Sequence, residues 1–186
     1  MIEDLEDLSS VNVDTESAKR RGLMEDTLVA TLHHVEQQAQ RKGLRFRAHY
    51  SEPGMQAELD PTRLNQVVKK LCANALKYTA EGEISVTVAT RYHHSCGEQL
   101  VLQVCDSGVG ISPRKLQGMF RPVSQLYDDY VNHHQGTGLG VAVVKEFVAE
   151  MGGEIDVHSN EGAGTCFSIT LPRFKHAEPD DTVELF

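Results

Sequence analysis

The chain has 186 residues, 40% of them hydrophobic and 24% charged, with a formal net charge of −9 at pH 7. That length suits one ordinary domain with short appendages and a substantial hydrophobic core. The acidic balance argues against a nonspecific nucleic-acid binder, which needs surplus Lys and Arg against phosphates, and there is neither an apolar run near the ~18 residues of a membrane span nor a signal-peptide pattern at the start.

In chain order, Ile2, Leu5 and Leu8 of MIEDLEDLSSVN stand at helical spacing and predict the tail of a longer helix, followed by a polar link in VDTESAKRR. Residues 23–42 carry Leu28, Leu32, Val35 and Ala39 on one face and end at Gly43, which predicts a helix. LRFRAHY alternates and predicts a strand. ELDPTRLNQVVKKLCANALKYT opens with Asp60 as N-cap and Pro61 at the first helical position, and Leu64, Val68, Leu71 and Ala75 form its apolar face. EISVTVAT and QLVLQVCD alternate with period two around RYHHSCGE and predict a hairpin. SGVGISPRKLQGMFRPVSQLYDDYVNHHQ shows little periodicity beyond a turn of helix near 113–119, and a loop of that length is usually functional or disordered.

After GTGLG, Val141, Val144, Val148 and Met151 stripe a helix that stops at Gly152-Gly153. EIDVHS and GTCFSITLP predict a second hairpin, with Phe167, Ile169 and Leu171 facing one way, and RFKHAEPDDTVELF reads as an acidic exit linker. Three longish helices and about five strands in mixed order predict a two-layer α/β (α+β) sandwich. Cys72, Cys96, Cys105 and Cys166 form no C-x-x-C pair, and the expectation is reduced, mostly buried thiols of a cytoplasmic protein.

The run Gly136-Thr137-Gly138-Leu139-Gly140 at the start of a helix is suited to an anion, because the first helical N–H groups are unpaired and the dipole is positive there. A Walker loop is absent, and a Rossmann fingerprint lacks its preceding strand and has Val141 at the sixth position. Plain turn glycines remain open on this segment alone. Elsewhere, Asp106 ends an apolar strand and is followed by Gly108 and Gly110. Lys70, Asn74, Lys77 and Tyr78 stand at i, i+4, i+7 and i+8 of the Asp60 helix, away from its apolar stripe. An amide oxygen, ammonium groups and a flat ring are what Mg-nucleotide recognition uses.

The ordered set DPTRLNQVVKKLCANALKYT, DSGVGI, MFRPVSQL and GTGLGVAVVKEFVAEMGGEIDVHSNEGAGTCFSITLP resembles the ATP-binding catalytic domain of sensor histidine kinases, in the ATPase superfamily shared with gyrase B and the heat-shock chaperones (the Bergerat fold). The resemblance covers residues ~20–173. It implies a mixed, mainly antiparallel sheet of about five strands covered on one face by three helices, with a mobile ATP lid. It also implies ATP and Mg²⁺ as ligands. Asn74 would coordinate Mg²⁺, Lys77 would contact the phosphates and Tyr78 would lie beside the adenine. Asp106 would accept the adenine amino group, which suits a carboxylate at a strand end, and Gly108 and Gly110 would let backbone approach the purine. Phe120 corresponds to the lid hinge, Gly136, Gly138 and Gly140 to the phosphate-side turn, and Thr165 to a water-mediated base contact.

By the same resemblance, residues 1–20 are the end of a dimerisation hairpin and linker, 21–174 the catalytic domain and 175–186 the exit linker. The chain is then expected to be a catalytic domain cut from a larger, homodimeric kinase. Its partners are the parent's dimerisation and phosphoacceptor domain and a response-regulator receiver; neither nucleic acid nor direct membrane contact is expected, and the location is cytoplasmic.

The chain departs from the family pattern at three places. Lys70 occupies a position where the family carries an amide, carboxylate or imidazole, and a charged lysine has no lone pair for Mg²⁺; it is expected to lie against the triphosphate or swing clear. The stretch after Arg121 has no Lys or Arg until Lys145 and carries Asp128, Asp129, His133 and His134 instead, read as a solvated loop rather than a metal site. The phosphoacceptor is missing, since His33-His34 in TLHHVEQQ falls on the domain's own first helix in the wrong context. These departures keep a second reading open: a weak or inactive regulatory pseudokinase module acting through partner kinases. A third reading, an ATPase of the gyrase branch, needs a transducer segment after the core that this sequence does not show.

Overall fold

The computed structural model describes residues 20–95, 97–119, 139–172 and 174–176. In chain order the elements are β1 (Arg20–Leu23), α1 (Met24–Arg41), β2 (Arg45–Tyr50), β3 (Met55–Leu59), α2 (Pro61–Tyr78), β4 (Glu83–His93), β5 (Gly97–Asp106), α3 (Pro113–Met119), α4 (Leu139–Glu150), β6 (Glu154–Asn160), β7 (Gly164–Pro172) and β8 (Phe174–His176).

The main sheet has five strands in the order β2-β4-β5-β7-β6. β2 runs parallel to β4 and the remaining neighbours are antiparallel. The parallel pair needs a crossover, which the chain makes through β3 and α2. Period-two burial along β4 and β5 puts Ile84, Val86 and Val88, and Leu100, Leu102 and Val104, on one face. On β7, Phe167, Ile169 and Leu171 continue that face. Against it lie Leu28, Leu32 and Val35 of α1, Leu64, Val68 and Leu71 of α2, and Val144, Phe147 and Val148 of α4, all in one core cluster. The opposite face of the sheet carries polar and small residues. This is the two-layer arrangement that the element pattern predicts, with the mixed, mainly antiparallel sheet that the resemblance implies.

α2 starts where the sequence places it. The Asp60 carboxylate accepts hydrogen bonds from the Thr62 and Arg63 N–H groups at 2.8 and 3.2 Å, with Pro61 at the first helical position. Asn65 ties α2 to α1: its Nδ2 donates to the Thr27 carbonyl at 2.9 Å, and its Oδ1 accepts from the Thr31 hydroxyl at 2.6 Å.

The sequence reading contains no counterpart of the second, three-stranded sheet, β1-β3-β8, in which both pairs are antiparallel. Its strands are four, five and three residues long and pair across the chain, Arg20 with Leu59 and Met55 with His176. No local period reveals such a sheet. β8 falls largely within the segment read as an exit linker.

Candidate functional site

The site begins at the end of β5. Asp106 is the last residue of that strand and faces Thr165 across the β5–β7 ladder, with Ser159 next in the row on β6. The carboxylate is half-buried. Burial pushes its pKa above the usual 3.8, while the Gly108 and Thr165 N–H groups and the Thr79 hydroxyl pull it down. The Gly108 N–H donates to Asp106 Oδ1 at 2.8 Å. The Thr79 hydroxyl is buried beside this carboxylate and interacts with it.

The loop after Asp106 is clamped from two sides. Val109 N–H donates to the Tyr78 carbonyl at 3.2 Å, joining the loop to the end of α2. On the other side, Gly162 N–H donates to the Val109 carbonyl at 2.8 Å, and Ile111 N–H donates to the Ser159 hydroxyl at 2.8 Å. Gly108 is buried, and a Cβ there would strike the Tyr78 carbonyl oxygen. Gly110 has φ +68°, and a Cβ there would strike the Asn160 carbonyl. Both glycines are therefore required by close backbone approach between the loop and its two clamps.

α2 carries Lys70, Asn74, Lys77 and Tyr78. Lys70 and Asn74 are half-buried; Lys77 and Tyr78 are exposed, Tyr78 by 44%. Lys77 Nζ stands 5.1 Å from the Tyr78 ring centroid, a cation–π contact. Tyr78 thus sits where the lysine, the end of α2 and the Asp106 loop meet. Asn74 offers one amide oxygen, and among the described residues no group of three or more His, Cys, Asp or Glu side chains is placed to hold a metal. A metal that arrives with phosphate oxygens and water needs few protein ligands, so a single amide oxygen fits that role.

Leu139 and Gly140 lie within the first turn of α4 rather than in the turn before it. A Cβ at Gly140 would meet nothing within 4 Å. Phe120, Gly136, Thr137 and Gly138 lie outside the described residues, as do Asp128, Asp129, His133 and His134. His33 and His34 are exposed on α1, each with a glutamine Nε2 2.9 Å from its Nε2.

Sequence reasoning missed Ser159 and Thr79. Ser159 had a signal: strand alternation in EIDVHS puts it on the inner face with Ile155 and Val157, an unusual place for a hydroxyl. Thr79 caps the end of α2 and had none. The expectation of reduced, mostly buried thiols also needs correction. Cys105 and Cys166 are cross-strand partners and are joined by a disulfide; both are half-buried on the open face of the sheet. The period-two pattern that buries Val104 and Phe167 turns these two side chains outward, and the β5–β7 register sets them opposite each other. Cys72 is a free, buried thiol and Cys96 lies outside the described residues. No helix among the described residues is long and apolar enough to cross a membrane.

Residues 59–175 match the family described as histidine kinase-, DNA gyrase B-, and HSP90-like ATPase. The aerobic respiration control sensor protein ArcB of Escherichia coli (strain K12) is 39% identical over 146 residues, covering 77% of this chain and 18% of that protein. The autoinducer 2 sensor kinase/phosphatase LuxQ of Vibrio vulnificus (strain YJ016) is 32% identical over 178 residues, covering 92% of this chain and 20% of that protein. The chain thus spans about a fifth of the length of these curated relatives. Among solved structures, full-length ShkA in complex with AMPPNP superposes with a TM-score of 0.74 at 23% identity, over 96% of this chain and 36% of that one. The nucleotide-free catalytic domain of the histidine kinase ThkA gives 0.67 at 22% identity, over 83% and 95%. With the row of Asp106, Thr165 and Ser159, the glycine loop and the polar face of α2 arranged on this fold, the chain belongs to the histidine kinase-, DNA gyrase B- and HSP90-like ATPase family, as the ATP-binding catalytic domain of a sensor histidine kinase.

Proposed function

We propose that this domain binds Mg²⁺-ATP and presents the γ-phosphate to a histidine outside this chain, from which it passes to a receiver aspartate. In this reading the adenine amino group donates to Asp106, and Thr79 and Thr165 hold the water that completes base recognition. Gly108 and Gly110 form the floor under the purine. Tyr78 lies beside the base, and Lys77 turns from its ring toward the phosphates. Lys70 and the α4 N-terminus with Gly136, Thr137, Gly138, Leu139 and Gly140 add positive potential along the triphosphate. Asn74 holds the metal, which supplies charge neutralisation at the β- and γ-oxygens when bound. Phe120 is the hinge of the covering segment.

Catalysis of this kind is mainly positioning and electrostatics, so the domain needs no nucleophile of its own. In the same reading the histidine belongs to a dimerisation hairpin of the parent, a cytoplasmic homodimer that works with a response-regulator receiver.

The observation that carries the reading is the half-buried Asp106 carboxylate beside the buried Thr79 hydroxyl, over a glycine that cannot carry a side chain. Calorimetry of this chain with ADP and Mg²⁺, against GDP, tests it: ADP binds and GDP does not. In the full-length protein, γ-labelled ATP should then place label on a histidine. Equal binding of both nucleotides, or of neither, overturns the assignment.

A further inference from the structure

We propose that Cys105 and Cys166 form a reversible dithiol–disulfide site, oxidised by peroxide-class oxidants, whose state sets the affinity of the neighbouring nucleotide pocket. The coupling rests on the nucleotide reading above; the thiol chemistry does not.

The pairing is a property of the sheet. Cys105 and Cys166 are register partners on β5 and β7, with Cα atoms 4.0 Å apart. That spacing belongs to the non-hydrogen-bonded rung of an antiparallel ladder, where opposing side chains come closest, at about 4.5 Å between Cα atoms. Backbone hydrogen bonds of the preceding rungs keep β5 and β7 in register when the sulfurs are not joined, and only the end of the ladder loosens. The bond can form and break without refolding.

The site is also reachable. Both cysteines are half-buried and line a cavity of ≈ 270 Å³ together with His158 and Asn160 and with Asp106, Ser159 and Thr165 of the next rung. A peroxide or a small dithiol fits there. His158 is the register partner of Cys166 on β6; Cys105 faces Ser85 on β4. Cys72 does not compete, because burial pushes its thiol up to about 12.

The chemistry balances with two thiols and one peroxide. The Cys166 thiolate attacks a peroxide oxygen, the O–O bond breaks, and the leaving hydroxide takes a proton to become water, leaving a sulfenic acid. The Cys105 thiolate then attacks that sulfur, the S–S bond forms, and a second hydroxide leaves and is protonated. A dithiol reverses the step through a mixed disulfide, ending as its own disulfide with both cysteines as thiols.

The link to the nucleotide is one residue long on each strand. Asp106 follows Cys105 and Thr165 precedes Cys166, so the acceptor row is the next rung of the same ladder, pointing to the opposite face. It is also the last rung of β5 before the glycine loop. A covalent tie at the preceding rung keeps this end from fraying and holds Asp106, Thr165 and Ser159 in their bonded arrangement. Reduction frees the strand end, and the nucleotide must then order it on binding.

The test compares ADP affinity of the chain after treatment with dithiothreitol and after hydrogen peroxide, by calorimetry, with peptide mass spectrometry to map the bond. Peroxide should join Cys105 to Cys166, and the oxidised chain should bind ADP about threefold or more tightly than the reduced chain. Cys105→Ser/Cys166→Ser, and a Cys105→Val/Cys166→Val pair that keeps strand propensity, should bind as the reduced chain does and ignore peroxide. Equal affinity in the two states with the bond mapped, or peroxide treatment that yields no Cys105–Cys166 bond, overturns the proposal. Absence of ADP binding in both states overturns the nucleotide reading itself and the coupling with it.

Discussion

The Ser159 hydroxyl stands 3.0 Å from the Thr165 hydroxyl, and it also accepts the Ile111 N–H and donates to the Gly164 carbonyl, each at 2.8 Å. One side chain on β6 thus joins the acceptor row to the far end of the glycine loop. Ser159→Ala leaves the Ile111 N–H without its acceptor. The expected loss is about 1–3 kcal/mol of unfolding free energy by denaturant titration. ADP affinity should fall about tenfold, because the loop under the purine loses one of its clamps.

Asp106→Asn separates binding from stability. The asparagine Oδ1 still accepts the Gly108 N–H, but its amide nitrogen cannot accept from the adenine amino group, so ADP binding should vanish from calorimetry. Asp106 has a folded pKa above its ordinary value, so its charged form is disfavoured in the fold. As pH rises from the usual carboxylate range through the folded pKa, the unfolded chain loses its proton first, and stability falls. At pH 7 the asparagine variant should therefore be as stable as the native chain or more so, with the difference closing below the ordinary carboxylate pKa. Lower stability of the variant at pH 7 and equal stability in acid would contradict this. In the native chain, ADP affinity should weaken as acid protonates the acceptor.

Lys70 stands one turn before Asn74 on the half-buried side of α2. In the proposed site an ammonium there would supply charge that the metal would otherwise supply, so removing Mg²⁺ should weaken ATP binding less in the native chain than in Lys70→Asn. The measurement is ATP affinity with Mg²⁺ and with a chelator in both proteins. Identical ratios would remove Lys70 from the phosphate site.

Arg63 holds α2 to α4 away from the nucleotide. Its Nε lies 3.3 Å from Glu150 Oε2, its guanidinium carbon 4.4 Å from the Phe147 ring centroid, and its side chain is only 16% exposed. Arg63→Ala should lower stability by about 1–2 kcal/mol, chiefly through lost packing on the ring rather than the part-exposed ion pair. ADP affinity of the folded variant should be unchanged.

The helices and the two hairpins were legible in the sequence because each is governed by local rules. The Asp60-Pro61 start and the apolar stripe led to α2 within a residue of its observed bounds, and period two led to β4, β5, β6 and β7. The polar face of α2 and the Asp106 strand end followed from those same patterns. What only the tertiary structure decided are relations between distant segments. The β1-β3-β8 sheet joins residues more than a hundred positions apart, the Thr79 hydroxyl meets a carboxylate from another element, and Ser159 reaches back to Ile111. Cys105 and Cys166 look like two buried strand residues when read singly. Alternation alone says which face a side chain takes; only the register between strands says what stands opposite it.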